Sequence, residues 1–133
     1  INMKIDTDYV KKILDTFIES ETNYIKTDIF KTMIEENVEK FLFHWDLLSD
    51  KSLIVNMKGE KVKLAVYSMS GEPTINLGIS ARLHDNGHEF YNMLKDDTAI
   101  NKIQSNVKNL SIDLLLEASK QYINYKVGNI FGS

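Results

Sequence analysis

The chain has 133 residues, 43% hydrophobic and 26% charged, with no cysteine and a formal net charge of −3. That length and balance fit one globular domain able to bury an ordinary core. They exclude a disulfide framework and a thiolate metal site, and no apolar run approaches the roughly 18 residues of a membrane-spanning helix.

The start, Ile1-Asn2-Met3-Lys4, has no apolar signal core, so the expected location is the cytoplasm. Ile1-Asn2 reads as an addition ahead of a natural start at Met3. Of the sixteen basic residues only Arg82 is an arginine. Heavy use of Asn, Ile and Lys, a bias of AT-rich genomes, accounts for that. It still bears on function, because bidentate arginine is the commonest reader of guanine.

A first helix is predicted over Asp8 to Ser20. Asp6 or Thr7 caps it, and Val10, Ile13, Leu14 and Phe17 share one face. A second helix should start near Thr27, capped by Thr27 or Asp28, with Ile29, Phe30, Met33 and Ile34 buried. The third spans Val38 to Ser49. Its Phe41, Trp45 and Leu48 recur at helical spacing, and Trp45 reads as a core anchor.

The period then changes. Leu53-Ile54-Val55 is a short strand. Lys61 to Met69 alternates, with Val62, Leu64 and Val66 on one face. Thr74 to Leu83 alternates again through Ile75, Leu77, Ile79, Ala81 and Leu83. Together these two runs predict an antiparallel hairpin. A fourth helix follows over Gly87 to Lys95, then a helical segment over Ala99 to Val107. A last helix runs from Ser111, its cap, to Lys126, with Gly128 as a stop.

Three helices, a strand, a hairpin and a helix is the order of an α+β winged helix-turn-helix. Residues 1–95 form the expected wing-helix unit and 96–133 a C-terminal helical extension of one domain. The run His44 to Ile54 resembles the recognition-helix end of winged-helix proteins. The run Ala81 to Phe90 resembles their exit from the wing. The start Met3-Lys4-Ile5-Asp6, the block Gly87-His88-Glu89-Phe90 and the turn Lys95-Asp96-Asp97-Thr98 resemble a family of small bacterial and prophage proteins of unknown function. The chain departs from that pattern at His84, where threonine is usual, at Ile100, where an aromatic is usual, and in a longer hairpin. The resemblance implies a winged-helix fold and a bacterial or phage setting, and it carries no catalytic residues.

The candidate chemistry is thin. His84 and His88 are four apart, a spacing that holds metals on a helix, but His84 is expected before the helix begins. His88 reads as a packed structural residue and His84 as an exposed one near a cap. Gly87 lacks the companions of a phosphate loop, and no serine sits in a nucleophile elbow. The expectation is no enzyme, no metal and no cofactor.

Two partner readings follow. Double-stranded DNA would be met by Asn37, Lys40, Phe43 and His44 of the third helix and by Lys58, Lys61, Lys63 and Arg82 of the wing. Against it, Glu35 to Lys51 holds five carboxylates and two lysines, three of the carboxylates at the end that should enter the groove. The alternative is a protein-binding module that sets Glu35, Glu36 and Glu39 against a basic host protein, as a phage anti-defence inhibitor would. Homodimerisation through Ser111 to Lys126 is a further expectation, against simple packing of that helix on the first.

Overall fold

The computed structural model describes residues 4–106 and 109–130, with side chains through residue 122. Ile1, Asn2, Met3 and Val107 lie outside the described residues, as do the side chains of Ile123 and Lys126.

Helix α1 is Thr7–Ile18. Asp6 caps it, its carboxylate accepting the Tyr9 N–H at 3.1 Å. Val10, Ile13, Leu14 and Phe17 are buried as their spacing requires. The chain then forms strand β1, Ile25–Lys26, and a 3-10 turn, Thr27–Phe30, which runs into helix α2, Lys31–Glu36. Here two expectations fail, each for its own reason. A 3-10 turn takes about three residues per revolution instead of 3.6, so the phase shifts and Ile29 rotates out to 60% exposure while Phe30 turns in. Thr27 is not a cap. It is fully buried, and its hydroxyl accepts the Ile79 N–H at 3.1 Å.

Helix α3 is Val38–Asp50, one residue longer than predicted. Trp45 lies at its centre with no exposure, and its indole N–H donates to the Val62 carbonyl at 2.8 Å. After a turn at Ser52, φ 57°, comes strand β2, Ile54–Asn56.

The hairpin differs from the continuous pair expected. Strand β3, Ala65–Tyr67, pairs with β4, Pro73–Ile75, in a two-stranded ribbon. Strand β5, Ser80–Leu83, belongs to a separate sheet of order β1-β5-β2, antiparallel throughout. The predicted run from Thr74 to Leu83 is broken between them at Gly78, whose φ of 84° is a left-handed conformation that glycine adopts without strain. Val62 and Leu64 point into the core as predicted, but Val66 is 61% exposed. Alternation sets its side, yet the ribbon meets the core only as far as the Ala65–Ile75 pair, and Val66 lies beyond it.

Helix α4, Asp85–Leu94, begins two residues before Gly87, with His84 as cap through Nδ1, which accepts the Asn86 N–H at 3.3 Å. Gly87 is required by packing: a Cβ there would sit 2.5 Å from the Leu53 carbonyl oxygen. His88 is exposed rather than packed, because it lies on the outer side of α4 from Gly87 and Phe90. Helix α5 is Asp97–Asn106. Helix α6, Ile112–Ile130, passes through Gly128 instead of stopping there; the Ser111 hydroxyl accepts the Leu114 N–H at 3.1 Å. Among the described residues it packs mainly on α4, and the Tyr122 hydroxyl donates to Asp96 at 3.0 Å.

One core cluster runs from Val10 through Phe30, Trp45, Leu64 and Phe90 to Ile100, Ile112 and Leu115, so the helices after residue 96 share it. Among the described residues no helix is long and apolar enough to cross a membrane.

Candidate partner-binding face

Burial of Phe41, Leu42, Trp45 and Leu48 decides which side of α3 remains for a partner. Glu39, Phe43, Asp46 and Asp50 fall at i, i+4, i+7 and i+11, a single stripe on the outer side of the helix. Glu39 and Asp50 are exposed, while Phe43 and Asp46 are partly so. Glu35 and Glu36, both exposed, lie just ahead of the same helix end.

Lys63 is the cation that answers this stripe. Its ammonium is 2.5 Å from Asp50 and 3.5 Å from Asp46. Burial works against the Lys63 charge, but the hydrogen bond to Asp50 and the field of both carboxylates outweigh it and raise the group above its usual value. Asp46 is raised too, chiefly because burial penalises its charge, with Asp50 adding repulsion and Lys63 opposing. The contact also ties the first leg of the hairpin to α3, alongside a hydrogen bond from the Val62 N–H to the Ser49 hydroxyl at 2.9 Å.

The α3 residues expected to read DNA are mostly committed elsewhere. Asn37 is the helix cap, its side chain accepting the Lys40 N–H at 3.0 Å. Lys40 reaches back to α1, 3.1 Å from Asp6 and 4.7 Å over the Tyr9 ring. His44 is fully buried, which removes it as a base contact. Its Nε2 accepts the Asp6 N–H at 2.9 Å and its Nδ1 donates to the Lys40 carbonyl at 2.7 Å. The helical repeat puts it on the Phe41 side, where α1 crosses. Phe43 alone of the four remains on the outer stripe.

The wing cations divide. Lys63 is held by Asp46 and Asp50. Lys58 and Lys61 are exposed and make no ion pair among the described residues. Val55 pairs with Arg82 on one side and bridges to Lys61 on the other, so Lys61 and Arg82 share a sheet face. The Arg82 guanidinium lies near Gly59, beside Lys58. These three cations gather around the 56–60 turn, away from the carboxylates of α3.

Charge counting included Asp46 and Asp50 but not their placement: at i+7 and i+11 from Glu39 they extend the acidic stripe. It also passed over the hairpin tip. Val66, Tyr67 and Met69 make an exposed apolar hairpin tip. From Val66 to Pro73 the tip carries no cation, and Glu72 is its one charge.

No group of His, Cys, Asp and Glu suited to a metal ion occurs among the described residues. His44 and His84 hydrogen-bond to backbone groups only. Two surface hollows, one beside β1 and one between α5 and α6, contain no histidine. No family model, no curated protein and no solved structure matches the chain.

Proposed function

We propose that this chain is a winged helix-turn-helix domain without enzyme activity that serves as a protein-binding module, presenting the outer face of α3 to a basic protein surface. The winged-helix reading draws support from the element order and from a sheet in which the strand after the hairpin lies between the strand after α1 and the strand after α3. Under that reading α3 is the recognition element and β3–β4 the wing. The resemblance of the Gly87-His88-Glu89-Phe90 block to bacterial and prophage proteins makes a host protein the expected partner.

The observation that carries the proposal is the stripe Glu39, Asp46 and Asp50, with Glu35 and Glu36 beside it; among the described residues Lys63 answers Asp46 and Asp50, and Lys31 lies 4.0 Å from Glu35. A phosphate backbone docked there would meet like charge. A lysine- or arginine-rich protein would meet complementary charge, which raises association rate and specificity. A photo-crosslinking residue at Phe43 should trap one partner in cells of the source organism. One at Lys12, exposed on α1, should trap none. Glu39→Lys with Asp50→Lys should abolish the adduct. An adduct that survives that reversal removes the acidic face as the binding site.

DNA remains the second reading because Lys58, Lys61 and Arg82 cluster. Three phosphate contacts give a salt slope of only about −3. Anisotropy on a random duplex, titrated at two salt concentrations, should therefore show weak binding or none. Tight, salt-sensitive binding that Lys61→Ala with Lys58→Ala removes would establish the DNA reading over the protein one.

A further inference from the structure

His44 is a fully buried polar group with both ring nitrogens bonded, and neither reading of the outer face uses it. Its ring has no exposure, and both nitrogens are committed to backbone. Nε2 accepts the Asp6 N–H and Nδ1 donates to the Lys40 carbonyl, so the bonds require the neutral ring with its proton on Nδ1. A second proton would have to go on Nε2. It would then point at the Asp6 N–H, two donors facing each other in a dry site, with the Asp6 N–H left unpaired.

The charged surroundings do not offset this. From the start of α1, Asp6 favours a cationic ring, but its carboxylate is already engaged by Lys40 at 3.1 Å and by the Tyr9 N–H. From α3 itself, the Lys40 carbonyl that accepts from Nδ1 favours the charge, while the Lys40 ammonium opposes it. Tyr9 of α1 packs its ring 4.9 Å from the imidazole, and its hydroxyl is buried without a hydrogen-bond partner. Glu36 of α2 acts on Tyr9, raising that phenol after burial does, and is not among the groups acting on His44. Burial is the largest influence on the ring and lowers it from its ordinary 6.5.

We propose that His44 is a pH-sensitive latch: protonation of its ring breaks the bond to Asp6 and releases the first turn of α1 from α3. The elements concerned are placed for it. Asp6 is both the cap of α1 and the anchor of Lys40, so losing the His44 bond loosens the cap, the ion pair and the Tyr9 stack together. Opening at this end alters the N-terminal half of α3, where Glu39 lies, and strains the bond from the Gln104 amide of α5 to the Thr7 hydroxyl at 3.1 Å, while Phe90 of α4 stays out of the transition.

The sign follows from linkage. A base whose value is lowered in the closed form keeps its contribution above 6.5 and loses it as pH falls towards the closed-form value. Between those limits the open fraction rises about tenfold for each pH unit.

Amide hydrogen exchange on the intact chain from pH 7.5 to 4.5, corrected for intrinsic rates, tests this alongside titration of the His44 ring by NMR. Protection at Asp6 and Tyr9 should fall about tenfold per unit once below 6.5, with protection at Phe90 in α4 unchanged, and the ring should titrate below 6.5. His44→Gln should remove the step and His88→Gln should leave it. If His44→Gln does not fold, the wild-type exchange and ring titration still decide. Flat protection at Asp6, equal loss at Asp6 and Phe90, or a ring that titrates at 6.5 or above each overturns the latch.

Discussion

The aromatic centre and the β3–β4 hairpin both carry large apolar side chains and end in opposite conditions. Around Trp45, the rings of Phe17, Phe30 and Phe41 lie with centroids 5.4 to 6.3 Å apart in contacting pairs, and none is appreciably exposed. In the hairpin, Val66, Tyr67 and Met69 stand in water. The difference is what lies opposite. Residues of α1, the 3-10 turn, α3 and the first leg of the hairpin converge on Trp45, whereas the β3–β4 ribbon meets the core only at its base, through Ala65 and Ile75. An apolar residue that touches nothing contributes no burial, so the hairpin is held by its base and not by its tip.

Substitutions sharpen that contrast, and they rank. Trp45→Ala should cost about 3–5 kcal/mol, a large share of the stability of a domain this size, and a urea midpoint will read it. Beyond the lost rings, the change orphans the Val62 carbonyl. Next comes Gly87→Ala. A methyl group 2.5 Å from the Leu53 oxygen forces α4 off the sheet, an overpacking cost of about 1–3 kcal/mol. An alanine there that leaves the midpoint unmoved would mean that α4 sits more loosely than its packing implies.

Asn37→Ala removes the α3 cap and should lower stability by about 1 kcal/mol. Tyr91→Phe should have an effect of similar or smaller size, and it carries a pH signature. The Tyr91 hydroxyl donates to Asp15 at 2.6 Å, and that bond, followed by burial, pushes the group up to about 12. A raised group contributes fully below its ordinary 10.0 and loses that contribution as pH rises towards 12. Wild type should therefore lose stability over that window relative to Tyr91→Phe.

At the bottom of the ranking, Val66→Thr, Tyr67→Thr and Met69→Ser together should change stability by less than about 0.5 kcal/mol. A large loss from this triple variant would show that the tip is packed in solution and would break the contrast itself.

Local patterns were legible where one residue settles one feature. Asp6 at the start of α1 and Ser111 at the start of α6 cap their helices as their chemistry requires. Asn37, read from the sequence as a DNA contact, instead caps α3, its side chain facing the helix backbone. The candidate site was legible mainly as charge. Glu35, Glu36 and Glu39 stand exposed where the acidic reading needs them. Which cations stay free was not legible, because Lys61 and Lys63 alternate alike in sequence and only one of them meets carboxylates in space.

By itself, then, the sequence determined the buried faces of α1 and α3, the caps at Asp6 and Ser111, the change of period after α3 and the acidic character of that helix, all of which depend on neighbours within a few residues. Tertiary structure alone decided that His44 is buried against Asp6, thirty-eight residues away. It decided likewise that Thr27 bonds to Ile79, that β5 joins β1 and β2 instead of continuing β4, and that Lys63 closes on Asp46 and Asp50. Each of these pairs residues far apart in the chain, and periodicity, which records only which side a residue faces, holds no information about what it will find there.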